Sequence, residues 1–413
     1  MADETPGDKS ADKSGHHFRT RLSHVGRAGK RVHGFVNPPL LRGSTVLYTT
    51  MAERRALAAR RGEQVLTYGL GGSETHWALE DAIAEIEGGT RCQIVGSGLA
   101  AVTVPLLAFL DAGQHCLMPD SVYGPARNFA TTTLPRFGIE TTFYHPEIDE
   151  AGIADLMRPN TKVVYAESPG SHTFEVQDVP ALARVAHARG AKVLMDNTWG
   201  IHFFQPFRHG VDASIQALTK YPGGHSDLLI GSITVNSDAD WQRLRATASA
   251  LGQYASPDDC WLCLRGVRTL GVRLAAQMEA GIQVAHWLRT RPEVRQVLHP
   301  ALPGAPGHEL WKRDFAGACS LFGVEFQPKF DVEATHAFAE ALELFGIGAS
   351  WGGYESLALP TTGFVTRTAG SGKFEGPLVR LHIGLEDPAD LIADLERGLG
   401  IMREFPVIEA ATK

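Results

Sequence analysis

The stretch Asp178-Val179-Pro180-Ala181-Leu182-Ala183-Arg184-Val185-Ala186-His187-Ala188-Arg189-Gly190-Ala191-Lys192-Val193-Leu194-Met195-Asp196 decides how the chain is read. Asp178 is a helix-capping residue, Pro180 suits a first turn, and Leu182, Val185 and Ala186 recur at helical spacing. Gly190 ends the helix, and the apolar run Val193, Leu194, Met195 follows as a strand that delivers Asp196 at its carboxyl end. Upstream, residues 161–166 form a second buried strand, delivering Glu167 and the turn Ser168-Pro169-Gly170. Strands and helices in alternation predict a mainly parallel sheet with helices on both faces. Ligands of such open sheets gather at the carboxyl ends of strands, so Asp196 is placed for one by position alone.

The pattern breaks near Ala255-Ser256-Pro257, which predicts a large domain over residues 71–256 and a smaller α/β domain over 257–413. In the second, Val379, Leu381 and Ile383 alternate with Arg380 and His382, a strand with one apolar face. Arg380 therefore sits on a rigid element but points away from its apolar side. Asp387-Pro388 then caps a helix carrying Leu391, Ile392, Leu395 and Leu399.

The chain of 413 residues is long enough for two domains and an arm, and its 44% hydrophobic and 21% charged residues are ordinary for a globular protein. A net charge of -7 argues against a partner bound through nucleic-acid phosphates or an anionic membrane surface. The five cysteines are too sparse for a disulfide framework and favour a reducing, cytoplasmic setting. Cys260 and Cys263 form a C-x-x-C, but no second pair exists, and Trp261, Leu262 and Leu264 around them fit a packed helix. Residues 1–17 are polar and read as a disordered tail rather than a secretory signal. The longest uncharged run, residues 92–110, contains Gly96, Ser97, Gly98 and Pro105 and reads as strand, turn and helix rather than a membrane span.

Gly96-Ser97-Gly98-Leu99 joins that strand to that helix, and backbone N–H groups at a helix start can cradle a phosphate. Ala101 stands where a dinucleotide fingerprint needs its third glycine, which speaks against a nicotinamide dehydrogenase. On these residues alone, a simple tight turn stays open. Lys220 follows the apolar run that starts at Ser214 and precedes Pro222-Gly223-Gly224. It is either a surface lysine or, if held in a low-dielectric site, an amine able to form a Schiff base with an aldehyde. An acid at one strand end, an amine beyond the next and a phosphate cradle are the three anchors that pyridoxal phosphate needs.

At these residues the chain resembles the Cys/Met-metabolism family of pyridoxal-phosphate enzymes, fold type I, and within it the bacterial members that cleave cystathionine by β-elimination. The motifs are Glu167-Ser168-Pro169-Gly170-Ser171, Asp196-Asn197-Thr198-Trp199, Ala217-Leu218-Thr219-Lys220-Tyr221, Gly224-His225-Ser226-Asp227, Ser350-Trp351-Gly352-Gly353-Tyr354-Glu355-Ser356 and Arg380-Leu381-His382-Ile383-Gly384-Leu385-Glu386. The likeness runs from about residue 21 to about residue 399. It implies a PLP-dependent carbon–sulfur lyase of transferase-like α/β fold, with an N-terminal arm over residues 1–70 that reaches a neighbouring subunit in a homotetramer. It implies Lys220 as the Schiff-base lysine and proton carrier, Asp196 on the pyridinium nitrogen, and Tyr123 stacked on the ring and lining the substrate. Gly98, Leu99 and the Thr219 hydroxyl would hold the phosphate, with Tyr68 arriving from the neighbour. Arg380 would clamp the substrate carboxylate, and Ser350 and Trp351 would line the pocket. No metal is implied. Tyr123, on its own, reads equally as a core aromatic.

Three positions depart from the family pattern. Tyr68-Gly69-Leu70 lacks the arginine that many relatives carry two residues after the tyrosine, and Gly71 and Gly72 are the neighbouring N–H groups that could substitute. Ala217 replaces a common serine, which would shift weight onto Thr219, and Ala349 leaves more room for the distal half of the substrate. Pro125 after Tyr123-Gly124, and Trp351 where γ-lyases commonly have leucine, favour β- over γ-elimination. Cysteine desulfhydration, γ-elimination and a non-catalytic PLP-binding regulator are the alternatives.

Overall fold

A computed structural model describes residues 15–27, 34–60, 62–370 and 374–406; most of the predicted N-terminal tail lies outside them. Seven strands form the main sheet: β1 (Arg91–Val95), β2 (His115–Pro119), β3 (Glu140–Tyr144), β4 (Thr161–Glu167), β5 (Lys192–Asp196), β6 (Ala213–Gln216) and β7 (Gly231–Val235). Their order is β1-β7-β6-β5-β4-β2-β3. Pairing is parallel from β6 through β5, β4 and β2 to β3, while β7 runs antiparallel to both its neighbours.

The chain forms α1 (Phe18–His24), α2 (Met51–Ala59) and α3 (Glu74–Glu87) before the sheet, then α4 (Gly98–Phe109), α5 (Gly124–Asn128), α6 (Glu150–Leu156), α7 (Val179–Ala188) and α8 (Asp238–Ala250) between and after its strands. The α7–β5 unit follows its sequence closely. Asp178 accepts from the Ala181 N–H, and Gly190 takes the left-handed φ of 72° that ends the helix. Alternate residues on each strand serve opposite faces. Val164, Ala166, Val193 and Met195 pack with α3 and α7, whereas Val163, Tyr165 and Leu194 pack with α4 and α8. Both faces are covered, so these strands are apolar throughout.

A second sheet, ordered β10-β11-β9-β8, is antiparallel throughout. It comprises β8 (Val294–Leu298), β9 (Leu321–Phe326), β10 (Leu357–Pro360) and β11 (Leu378–His382), with α10 (His308–Asp314), α11 (Val332–Glu340) and α12 (Pro388–Arg403) beside it. The helix α9 (Pro257–Leu288) connects the two parts. Ser256, where the sequence pattern breaks, is its N-cap. The change of core comes later, inside the helix: residues up to Leu274 belong to the first core, and Ala280 onward to the second. One continuous helix leaves no turn signal where the packing changes. Cys260 and Cys263 are buried on α9 as free thiols pushed upward by burial, the packed-helix reading of that pair.

Candidate active site

The site lies at the carboxyl ends of β4, β5 and β6 and is closed by β11 of the smaller sheet. Lys220 stands in the turn after β6, where its Nζ donates to Ser350 Oγ at 2.8 Å and lies 5.2 Å from the centre of the Trp351 ring. Burial and the nearby Arg380 guanidinium lower its ammonium to about 8, with Asp196 opposing them. An amine so placed is partly neutral near physiological pH. Lys220 is therefore not the free surface lysine that its sequence alone allowed.

Asp196 ends β5, paired in register with Glu167 of β4 and Ile215 of β6. Its Oδ1 accepts the Thr198 N–H at 2.9 Å. Burial raises its carboxyl, and Thr198 and Lys220 pull it back. Glu167 turns its Oε2 to the backbone N–H of Tyr123 at 2.7 Å, which fixes the start of α5 and hence the half-buried phenol. Burial, then Asp196 and Glu167, raise that phenol, so it is neutral.

Arg380 points away from the apolar side of β11, as its alternation predicts. Only 8% exposed, it donates to the carbonyls of Ala349 at 2.9 Å and Ser350 at 3.1 Å. No carboxylate pairs with it among the described residues, and burial lowers it to about 10. A buried cation without an anion is costly and suited to an incoming carboxylate.

Residues outside the sequence-derived set hold this group in place. His382, on the same face of β11 as Arg380, accepts the Gly352 N–H at 3.1 Å and is kept neutral by burial, at about 3. Gln277 of α9 donates to the Gly353 carbonyl, and buried Arg273 donates to the Tyr221 carbonyl. The alternation Arg380-Leu381-His382 carried the signal for His382; nothing local marked Gln277 or Arg273, which reach the site across the fold. Gly352 has φ +86°, and a Cβ there would meet Tyr221 N at 2.8 Å. Gly352→Ala is accordingly expected to cost about 2 kcal/mol of stability and to raise KM by displacing Ser350 and Trp351. Thermal melting and KM, measured together, check it; an unchanged pair would refute it.

The expected phosphate cradle lies at the start of α4. Ser97 caps α4 by accepting the Ala100 N–H, and the N–H groups of Gly98 and Leu99 have no acceptor among the described residues. A Cβ on Gly98 would lie 2.7 Å from that of Ala217, so only glycine lets the helix start approach the lysine segment. The Thr219 hydroxyl, however, donates to the Ile230 carbonyl and accepts its N–H, so its single proton is already engaged. The Ser97 hydroxyl, at the same helix start, has no acceptor for its proton among the described residues. Gly71 and Gly72 likewise donate within their own turn, to Tyr68 and Gly69, and are not spare donors.

Tyr68 is not brought to Lys220 in this chain. It is half exposed on a 520 Å³ cavity, and the walls of that cavity, among them His76, Glu80, Arg245 and Tyr254, share no residue with the site. Among the described residues no group of His, Cys, Asp and Glu could hold a metal ion, and no helix is long and apolar enough to cross a membrane.

Pyridoxal phosphate fits these residues. Free N–H groups at the start of a 12-residue helix face the demand of a phosphate. Lys220 offers a depressed amine to an aldehyde, and Asp196 a carboxylate to a ring nitrogen.

Comparison with known proteins agrees with this chemistry. A family model described as Cys/Met metabolism PLP-dependent enzyme matches residues 19–400. A cystathionine beta-lyase of Bordetella avium is 44% identical over 94% of this chain and 99% of its own length. The cystathionine beta-lyase MetC of Escherichia coli is 41% identical over 92% of this chain and 97% of its own. The crystal structure of metB from Corynebacterium glutamicum matches with a TM-score of 0.86 and 29% identity, over 94% of this chain and 99% of that one.

Proposed function

The chain belongs to the Cys/Met-metabolism family of PLP-dependent enzymes, and from that membership we propose that it cleaves L-cystathionine by β-elimination, in the supply of homocysteine for methionine. The observation that carries the reading is a single depressed amine, Lys220, set between an acid at a strand end and a buried guanidinium with no carboxylate partner among the described residues. The β-lyase names of relatives at 41% and 44% identity support the direction of elimination.

PLP, when bound, supplies an aldehyde that captures the substrate amine and a ring that accepts the electron pair left at Cα. Lys220, Asp196, Tyr123, Gly98, Leu99 and Thr219 would hold it, with the Ser97 hydroxyl beside them. Arg380 grips the substrate α-carboxylate and so fixes which Cα bond faces the amine. Lys220 takes the Cα proton and returns one to the departing sulfur, and its depressed pKa suits both transfers near neutrality. Ser350, within hydrogen-bond reach of Nζ, keeps the amine on the substrate side. The Cα–H and Cβ–S bonds break, homocysteine leaves, and the three-carbon enamine remainder takes up one water and is released as pyruvate and ammonia.

The test is keto-acid identification with cystathionine, cysteine and methionine supplied separately. Pyruvate from cystathionine, at a kcat/KM above that for cysteine, is the expected outcome. Release of 2-oxobutyrate would mean γ-elimination, preference for cysteine a desulfhydrase, and no keto-acid from any of the three a non-catalytic binder.

The arm supports an oligomer. No residue of α2 is buried, and Phe35, Val36 and Leu47 are 78%, 63% and 90% exposed. A nine-residue helix with no buried residue is unstable in water, so this surface calls for a covering partner. A second copy of the chain, in a homotetramer in which Tyr68 reaches the neighbour's site, meets that need.

A further inference from the structure

Close to Asp196 lies a carboxyl that the proposed chemistry does not use. Glu87 is the last residue of α3 and is fully buried. No cation pairs with it among the described residues. It accepts instead from three neutral side chains: the Ser214 hydroxyl, the Gln216 Nε2 at 2.8 Å, and the Asn197 Nδ2 at 3.3 and 3.4 Å. Burial first, with Asp196 adding to it, pushes this carboxyl up to about 8. A helix C-terminus also disfavours a negative charge. An acid in so unfavourable a place, held there by three side-chain donors, does more than fill space in the core.

Its partners show what. Ser214 and Gln216 lie on β6, and Asn197 is the residue after Asp196. Gln216 Nε2 also donates to the Asn197 carbonyl at 2.8 Å, so Glu87 and that carbonyl together fix the Gln216 amide. The peptide that follows Asn197 carries Thr198, whose N–H holds Asp196 Oδ1 and whose hydroxyl accepts the Ala217 N–H, three residues before Lys220. Movement at Glu87 is therefore passed through two amides to the carboxylate and to the lysine segment.

We propose that Glu87 is a positioning residue, which clamps Asn197 and Gln216 from behind and thereby sets the Asp196 carboxylate at the height and angle that hold the cofactor ring nitrogen. The inference rests on the assignment of Asp196 made above. It does not make Glu87 a catalytic residue, because Glu87 touches neither cofactor nor substrate.

The test compares purified holoenzymes carrying Glu87→Leu, Glu87→Gln and Gln216→Leu. Three quantities are read: PLP dissociation constant, pH midpoint of the lysine-bound cofactor absorbance, and kcat with KM for cystathionine. Glu87→Leu removes every acceptor and is expected to weaken PLP binding and lower kcat by about tenfold or more, with KM little changed and the absorbance midpoint displaced. Glu87→Gln keeps one acceptor and is expected to recover most of the loss. Gln216→Leu, which spares Glu87, is expected to reproduce the Glu87→Leu pattern and covers the case in which Glu87→Leu does not fold. A lowered melting temperature with all three readouts at wild-type values would overturn the proposal, since a merely structural residue behaves so. Asp196→Asn separates the two layers. If it weakens PLP binding while Glu87→Leu and Gln216→Leu do not, the positioning role alone fails; if it too leaves binding intact, the Asp196 assignment fails and the role falls with it.

Discussion

Lys220→Ala is expected to abolish cystathionine cleavage, with a loss on the order of 10⁴ or more in kcat, together with the absorbance of lysine-bound cofactor. Two functions disappear with one amine: the attachment point for the aldehyde and the group that carries the proton from Cα to sulfur. No other side chain can replace it, because Tyr123 is a neutral phenol held upward by burial and its acidic neighbours. The same amine sets a pH signature. Its pKa is depressed from 10.5 to about 8, and only the neutral form attacks an aldehyde. PLP uptake by the apoprotein is thus expected to rise about tenfold per pH unit below 8 and to level off above it. A midpoint near 10 would show an unperturbed, solvated lysine. Retained turnover in Lys220→Ala would remove the amine from the mechanism altogether.

Much of this was legible in the sequence, for identifiable reasons. The α7–β5 unit carried its own cap, period and stop signal, and the strand ending at Asp196 needed no distant partner to be recognised. Arg380 was readable because alternation along β11 puts it opposite Val379 and Leu381. Other features depend on contacts distant in the chain. Glu87 and Gln216 are 129 residues apart, and Gln277 reaches Gly353 across 76 residues. No periodicity records such pairs. The surroundings of Thr219 were hidden for a related reason: its hydroxyl bonds Ile230 on the way into β7, a pairing that only the folded turn shows. The change of core within α9 was hidden because an unbroken helix has no internal punctuation.

Arg380→Leu is expected to lower kcat/KM for cystathionine by 10² to 10³, about 3–4 kcal/mol, while leaving bound cofactor in place. The guanidinium is buried, hydrogen-bonded only to the carbonyls of residues 348–350, and without a carboxylate among the described residues. These contacts aim the fork and leave its charge uncompensated until a substrate carboxylate arrives. Most of the loss belongs in KM, because the carboxylate is gripped before and during the reaction alike. Arg380→Lys keeps the charge but not the planar pair of donors, so a partial loss is expected. Arg380 also helps depress Lys220, so in Arg380→Leu the pH midpoint for PLP uptake should move above 8. The two readouts are independent: KM reports the carboxylate clamp, and the midpoint reports the field at the amine. A variant with wild-type KM and an unmoved midpoint would show that this cation neither meets the substrate nor tunes the lysine.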